Sequence, residues 1–308
     1  MRRTPKVIGL AVATTVTVLA GTSIVTPAAT AATTGDGQSS SSDVEPFSTS
    51  GCVMFNTSVI TGNWDGVGGD GVGTVTRTTS GKLFWQLRNG PNSGPADYSF
   101  FYGANTDVPV VGNWDGIGGD GIGVIGNPDG DNEKDWALRQ GPNGGDSEIY
   151  FGYGALNDKR IVGNWDGVGG DGPGAVSLAG NWHLRDAPSG GVANYNFAFP
   201  AANPTFAAAG NWDGIGGDGP GWADWTDPAG EYIWRLRNGP NGGGAEISFN
   251  YGRTSGCPVV GNWDGVGGDG IGVVYLVNGT QGNDLSWRLR NGPNGGPEEF
   301  NFAYGKGN

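Results

Sequence analysis

Short apolar runs alternate with clusters of glycine, asparagine, aspartate and proline along most of the chain. Between residues 108 and 153, β-rich runs at 108–114 and 122–125 flank a Gly/Asp loop, and Trp136-Ala-Leu-Arg139 follows. Turn-forming residues at 140–145 then precede an alternating run at 148–153. Apolar runs of this length, bounded by turn residues, predict four short β-strands. Beyond the N-terminal region, no segment has the 3.6-residue period of an amphipathic helix.

One decapeptide, Gly-Asn-Trp-Asp-Gly-Val/Ile-Gly-Gly-Asp-Gly, occurs five times. The copies begin at Gly62, Gly112, Gly163, Gly210 and Gly261, so the spacings are 50, 51, 47 and 51 residues. A fixed period in this range is typical of supersecondary units that stack or form a ring. Every unit also carries Trp-x-Leu-Arg in its third predicted strand and Phe-x-aromatic in its fourth. Because side chains alternate along a strand, Trp and Leu of the first motif share one face.

These units predict an all-β fold, a five-bladed β-propeller of four-stranded antiparallel blades, over about residues 53 to 305. The large aromatic residues are expected to pack blade against blade. Each unit contains all four of its own strands, so closing the ring borrows no strand from the other terminus. A parallel β-solenoid is the competing architecture, but its coils are shorter and usually lack a Gly/Pro/Asn turn plus tandem Trp.

The N-terminal region divides into two segments ahead of the propeller domain at 52–308. Arg2, Arg3 and Lys6 precede an apolar run at 7–25 and then small residues up to Ala31, the order found in a secretory signal. Residues 1–31 are therefore predicted to be a signal peptide. An uncleaved membrane anchor is the alternative. Residues 32–51, rich in Ser, Thr, Gly and Asp, predict a flexible linker. We expect a secreted, extracellular product with no membrane association after cleavage.

Cys52 and Cys257 are the two cysteines of the chain. An even cysteine count in an exported protein usually means pairing. Cys52 precedes the first decapeptide and Cys257 precedes the last, so a disulfide between them would join the two ends of the repeat array. A closed ring allows this bond and an open solenoid does not. Two unpaired buried thiols are the alternative.

Charge and residue types exclude several function classes. The formal charge is -13, and removal of the basic signal peptide makes the chain more acidic still, so nucleic acid is an unexpected partner. His183 is the single histidine, which excludes a multi-histidine metal centre. It stands at the variable x position of Trp-x-Leu-Arg, and no nucleophile motif accompanies it. Five equivalent loops also provide five equivalent environments, which favours a scaffold over an enzyme.

Each decapeptide places oxygen-bearing side chains at alternate positions of a glycine-rich loop, an arrangement suited to Ca²⁺. Here the chain resembles FG-GAP and VCBS-type repeats, the calcium-loop blades of integrin-α-like propellers and of many exported bacterial proteins. The resemblance implies a low-affinity structural calcium site in each loop. Its implied ligands are Asn63, Asp65, Asp70, Asn113, Asp115, Asp120, Asn164, Asp166, Asp171, Asn211, Asp213, Asp218, Asn262, Asp264 and Asp269.

The loops depart from the family pattern Asp-x-Asp-Gly-Asp-Gly-x-x-Asp in three ways. Asn replaces the first acid, the last acid comes one position early, and an aliphatic residue replaces the third acid. Those aliphatic residues are Val67, Ile117, Val168, Ile215 and Val266. Two interpretations of these loops that need no metal ion are therefore alternatives to calcium binding. In one, Asp and Asn cap backbone amides in a tight turn. In the other, they pair with the arginines that end the third strands, Arg88, Arg139, Arg185, Arg237 and Arg290.

The resulting functional hypothesis is a non-enzymatic binding or adhesion module for an extracellular glycan or protein. Trp222 and Trp225 lie outside the repeated motifs and are the candidate ligand-binding residues; alternatively, they fill space against the third repeat. An extracellular polysaccharide-active enzyme, of glycosidase or lyase type with acids in the central channel, is the second hypothesis.

Overall fold

A computed structural model describes residues 52–200, 204–225 and 228–308. The predicted signal peptide and linker lie outside the described residues. Among those residues, no helix has the length and apolar character needed to cross a membrane.

The described chain folds into five antiparallel sheets of consecutive strands, which form the five blades of a β-propeller. Blade 1 contains β1 (Val53–Met54), β2 (Thr57–Gly62), β3 (Gly71–Arg77), β4 (Lys82–Arg88) and β5 (Tyr98–Ala104). Blade 2 contains β6 (Val108–Gly112), β7 (Gly121–Gly126), β8 (Glu133–Arg139) and β9 (Ile149–Ala155). Blade 3 contains β10 (Lys159–Gly163), β11 (Gly172–Val176), β12 (Asn181–Leu184) and β13 (Tyr195–Ala198).

Blade 4 contains β14 (Pro204–Gly210), β15 (Gly219–Asp224), β16 (Glu231–Leu236) and β17 (Ile247–Arg253). Blade 5 contains β18 (Cys257–Gly261), β19 (Gly270–Leu276), β20 (Asp284–Arg290) and β21 (Phe300–Lys306), with a 3-10 turn at Val277–Gly279. The all-β, five-bladed prediction is confirmed. Only the two-residue β1 extends a blade beyond four strands among the described residues.

The first strands of the decapeptide units surround the axis and close the ring. Strand β2 contacts β6, β6 contacts β10, β10 contacts β14, β14 contacts β18, and β18 returns to β2. The decapeptide connects the first and second strands of its blade. In an antiparallel blade, every such loop lies at the same end of the strands. All five decapeptides therefore surround one end of the central channel.

The hydrophobic core is divided among the five junctions between blades. At the first junction, Trp85 and Leu87 of blade 1 cluster with Ile122 and Val124 of blade 2. The tryptophan of each third strand is fully buried, whereas the next side chain is partly or fully exposed, as the period-2 pattern predicts. Each blade supplies one side of the junction before it and one side of the junction after it. The core is therefore complete only when the ring is closed.

Aromatic residues hold these junctions together in two ways. Trp85 stacks on Phe100 of its own blade, with ring centroids 6.0 Å apart and planes 11° apart. The Trp85 indole N–H also donates to the Tyr102 carbonyl over 2.9 Å. Contact with the next blade comes from the Tyr102 hydroxyl, which donates to the Ala137 carbonyl over 3.0 Å. In blade 1 the Trp–Phe stack is thus internal to the blade, and Tyr102 forms the polar link to the next blade. Tyr153 of blade 2 and Tyr251 of blade 4 form the same link.

The predicted disulfide between Cys52 and Cys257 is present. The two cysteines lie 205 residues apart in sequence, and their Cα atoms are 5.3 Å apart. The bond is buried at the junction of blades 5 and 1, beside Met54 and Trp287. The C terminus reaches the same junction, where the Asn308 amide donates to the Thr57 hydroxyl over 3.2 Å. A disulfide in this place is typical of an oxidising compartment.

Candidate functional site

Each decapeptide first stabilises its own loop. In blade 1, the Val67 amide donates to the Asp65 carboxylate over 3.0 Å, and the Asn63 side-chain amide donates to the Gly68 carbonyl over 3.1 Å. Gly66 and Gly68 have φ angles of 71° and 74°, in the left-handed region that glycine adopts without strain. The other four copies repeat both hydrogen bonds. The first aspartate therefore caps a tight turn.

The second aspartate of each decapeptide joins two neighbouring blades. The Asn63 amide of blade 1 donates to the Asp120 carboxylate of blade 2 over 2.7 Å, and the Asp120 amide donates to the Asn63 carbonyl over 2.6 Å. The same pair of bonds links Asn113 to Asp171, Asn164 to Asp218, and Asn211 to Asp269. A fifth pair between Asn262 and Asp70 connects blade 5 to blade 1. The decapeptides thus form a closed ring of inter-blade hydrogen bonds.

Glycine is required where neighbouring loops touch. A Cβ atom at Gly66 would lie 2.7 Å from the carbonyl carbon of Gly118 in the next loop. At Gly69 it would lie 2.5 Å from the Trp263 carbonyl oxygen of the preceding blade. Corresponding clashes recur at each of the other four junctions. The repeated glycines therefore allow direct backbone contact between blades, which no larger residue permits.

The second aspartates also line the central channel. Asp70, Asp120, Asp171, Asp218 and Asp269 face a cavity of about 210 Å³ that the first strands enclose. Burial raises the pKa of Asp171 to about 7, and repulsion from the Asp120 carboxylate adds to this effect. Burial is also the main cause that raises the pKa of Asp120 and of Asp269 to about 6. The pKa values of Asp70 and Asp218 are raised well above the ordinary range by burial and then by neighbouring ring carboxylates.

The predicted calcium ligands of one loop take part in different hydrogen bonds. In blade 1, Asn63 directs its side-chain nitrogen to a carbonyl of its own loop, and Asp65 caps the turn. Asp70 accepts from Asn262 of blade 5. The other four loops repeat this division. Within the described ranges, no group of three or more His, Cys, Asp or Glu side chains is placed to hold a metal ion. The loop aspartates therefore have turn and inter-blade roles that need no metal ion.

Arginine pairing, the third reading of these loops, is not what the structure shows. In blades 1, 2, 4 and 5 the arginine that ends the third strand instead pairs with an acid at the following turn, as in Arg139–Glu148 at 3.2 Å and Arg237–Glu246 at 2.9 Å. In blade 3, Arg185 donates to the Ser189 hydroxyl over 2.9 Å. The capped-turn prediction describes the first aspartate, whereas the inter-blade role of the second was not predicted from the sequence.

Five aliphatic side chains project from the outer surface of the loop ring. Their exposed fractions are similar: Val67 75%, Ile117 77%, Val168 73%, Ile215 77% and Val266 74%. Only the backbone amide of this position takes part in the turn, so the loop conformation does not require an aliphatic side chain. In the sequence these residues stand out only as departures from a calcium-loop pattern. The signal that identifies them is one residue class at one exposed position of all five copies.

The two candidate ligand-binding tryptophans lie in different environments. Trp222 is fully buried and packs edge-on against Trp182, with centroids 5.4 Å apart. Its indole N–H donates to the Phe199 carbonyl of blade 3 over 2.7 Å. Trp222 is therefore a core residue that fills space against the third repeat, and it has no surface to offer a ligand. Trp225 is 58% exposed and remains available.

His183 lies in a second, open depression of about 230 Å³ between blades 2 and 3. Its Nδ1 lies 2.7 Å from the Asn196 side-chain oxygen. The depression also contains Glu133 and Asp158. No serine, threonine or cysteine is among the described residues that line this depression, and the one hydroxyl there, that of Tyr153, donates to the His183 carbonyl over 3.0 Å. His183 is therefore placed as a partly exposed side chain of a blade junction.

A comparison with protein-family models found no match, and a search of curated proteins found no relative.

Proposed function

We propose that this protein is an exported, non-enzymatic binding module whose ligand is an extracellular glycan or protein. The observation that supports the proposal is the loop ring, which presents the same exposed aliphatic side chain from every blade although the turn does not need it. Inter-blade hydrogen bonds and backbone contacts hold these five side chains in fixed relative positions. A rigid array of equivalent weak contacts gains avidity when the ligand is multivalent.

Export rests on the N-terminal sequence and is supported by the buried disulfide. The expected product begins after Ala31. Expression of the full chain in a secreting host, followed by mass determination of the protein in the medium, tests this step. Retention of the full chain in the membrane fraction would instead support the uncleaved anchor.

Ligand binding is tested with the exported chain on a panel of polysaccharides and purified cell-surface proteins. The key variant replaces the five loop aliphatic residues with serine. A ligand held by the loop face loses affinity in this variant. A matched pair of single variants, Val168→Ser on the loop face and Leu178→Ser as its control, supports this comparison. These two side chains are each 73% exposed in blade 3, but Leu178 lies in the turn between β11 and β12, at the opposite end of the blade. An equal loss of ligand affinity in both single variants would exclude a specific loop-face ligand.

A polysaccharide-active enzyme is the second candidate, because the channel contains five aspartates and several have pKa values suited to proton transfer. Release of reducing sugar from a polysaccharide panel tests this activity. Activity that disappears in Asp171→Asn or Asp120→Asn would replace the binding proposal with the enzymatic one.

Calcium and the relationship to FG-GAP or VCBS repeats remain predictions. A ligand that binds only the native state raises the thermal midpoint. Melting of the exported chain in millimolar calcium and in chelator therefore tests the calcium prediction. An unchanged midpoint would leave the aspartates with the turn and inter-blade roles described above.

A further inference from the structure

We propose that the loop face docks a protein segment rich in lysine or arginine and in aliphatic residues. The loop face comprises the five exposed aliphatic residues and the five first aspartates of the decapeptides. This inference rests on the proposed binding function and selects a protein, rather than a glycan, as the ligand of that face.

The loop face combines apolar surface with negative charge in a regular order. Val67 lies two residues after Asp65, and all five first aspartates are exposed, as are the aliphatic residues. Gly66 contacts Gly118 of the next loop, and Val67 and Ile117 each adjoin one of these glycines. Neighbouring aliphatic side chains therefore flank every contact between loops, and carboxylates accompany each of them around the ring.

The negative charge of the loop face favours a cationic partner. The first aspartates are those at positions 65, 115, 166, 213 and 264, and the described residues contain no ion pair that involves them. The second aspartates lie behind them in the channel mouth, and the whole chain carries a net charge of -13. A cationic segment meets complementary potential here, and its aliphatic side chains remove the exposed valines and isoleucines from water.

Two other occupants fit less well. A second copy of the chain docked face to face would bring two sets of five carboxylates together, which like-charge repulsion opposes. A glycan usually stacks on aromatic rings, but the exposed apolar side chains of the loop face are valine and isoleucine. The exposed aromatic residues among those described, Phe55, Phe101, Tyr150 and Trp225, lie outside the decapeptides.

The test uses the exported chain and a short synthetic peptide that alternates lysine and leucine, with binding measured by calorimetry. A lysine–serine peptide and a glutamate–leucine peptide are the controls for charge and for apolar content. Two protein variants separate the same contributions. One carries serine at the five aliphatic positions, and the other carries asparagine at the five first aspartates. Asparagine keeps the side-chain oxygen that accepts the turn amide, so the loop conformation is retained.

We expect the lysine–leucine peptide to bind more tightly than either control peptide, with affinity that falls as salt increases. Each variant should weaken binding by about tenfold or more. Val168→Ser should weaken it measurably, whereas Leu178→Ser should not. Circular dichroism and thermal melting confirm that the variants fold. If the five-serine variant does not fold, the matched single variants still provide the comparison.

Other outcomes overturn the inference. Equal binding of the lysine–leucine peptide to wild type and to the serine variant would show that the loop face is not its site. Self-association in sedimentation that disappears in the serine variant would identify a second copy as the occupant. If a glycan binds and is lost in the serine variant while the peptide does not bind, this inference fails and the proposed function stands. If no ligand responds to the serine variant, the loop-face binding proposal fails as well.

Discussion

The channel aspartates predict that Asp171→Asn stabilises the protein at alkaline pH. Burial and repulsion raise the pKa of Asp171 from 3.8 to about 7 in the folded state. Folding therefore favours the protonated form. The native state binds more protons than the unfolded state between these two values, so the free energy of unfolding falls as pH rises through that window. Above this pH window, Asp171 is ionised in both states, and the folded state retains the full electrostatic cost of its buried charge.

The size of the effect follows from the shift. One pKa unit corresponds to about 1.4 kcal/mol, so the whole shift of Asp171 corresponds to about 4 kcal/mol. The carboxylate is only part-buried and faces a cavity of about 210 Å³ that water can enter. We therefore expect about 2 kcal/mol of stabilisation near pH 8, because solvent screens the charge. Asparagine keeps the oxygen that accepts the Asn113 amide over 2.7 Å, so the inter-blade bond is retained.

Urea unfolding of wild type and variant at about pH 5 and about pH 8, both in chelator, measures the difference. Asp166→Asn is the matched control, because Asp166 lies in the same loop with the same charge but is exposed. The Asp171 variant should be more stable at the higher pH and should show a shallower decline with pH. If its stability at about pH 8 is equal to or below that of wild type, with the same pH dependence, the charged-ring reasoning is wrong.

Three further predictions concern ring closure and the core. Replacing both Cys52 and Cys257 with serine removes a crosslink across 205 residues. This should lower the free energy of unfolding, measured by urea titration, by up to about 5 kcal/mol. A loss below about 1 kcal/mol would show that the blade contacts close the ring unaided. Gly66→Ala should destabilise at least about 1 kcal/mol more than Gly68→Ala, because both have positive φ but only a Cβ atom at Gly66 would meet the backbone of a neighbouring blade; equal effects would contradict the contact. Trp222→Ala should cost about 3–5 kcal/mol as a core cavity, and a near-neutral result in thermal or urea unfolding would contradict its burial.

Much of the fold was readable from local pattern. The predicted strands at 108–114, 122–125 and 148–153 occur with shifts of a residue or two at their ends, because alternation and turn residues are local properties. Pairing of Cys52 with Cys257 was also predictable, since the chain offers one pair and places it at the two ends of the repeat array. The aliphatic position of the loops was visible as well, but its exposure on one shared face was not.

The sequence alone determined the repeat, the four strands of each blade and the buried Trp–Leu face, because short-range periodicity fixes which side chains share a surface. Tertiary structure decided the roles that depend on neighbouring blades. Asp70 accepts from Asn262, 192 residues away, and only a closed ring of five blades brings them together. Trp222 is buried because its strand β15 is enclosed on both faces and the third blade offers Phe199 as its partner. No local pattern contains that information, since the contacts belong to the junctions and not to the repeat itself.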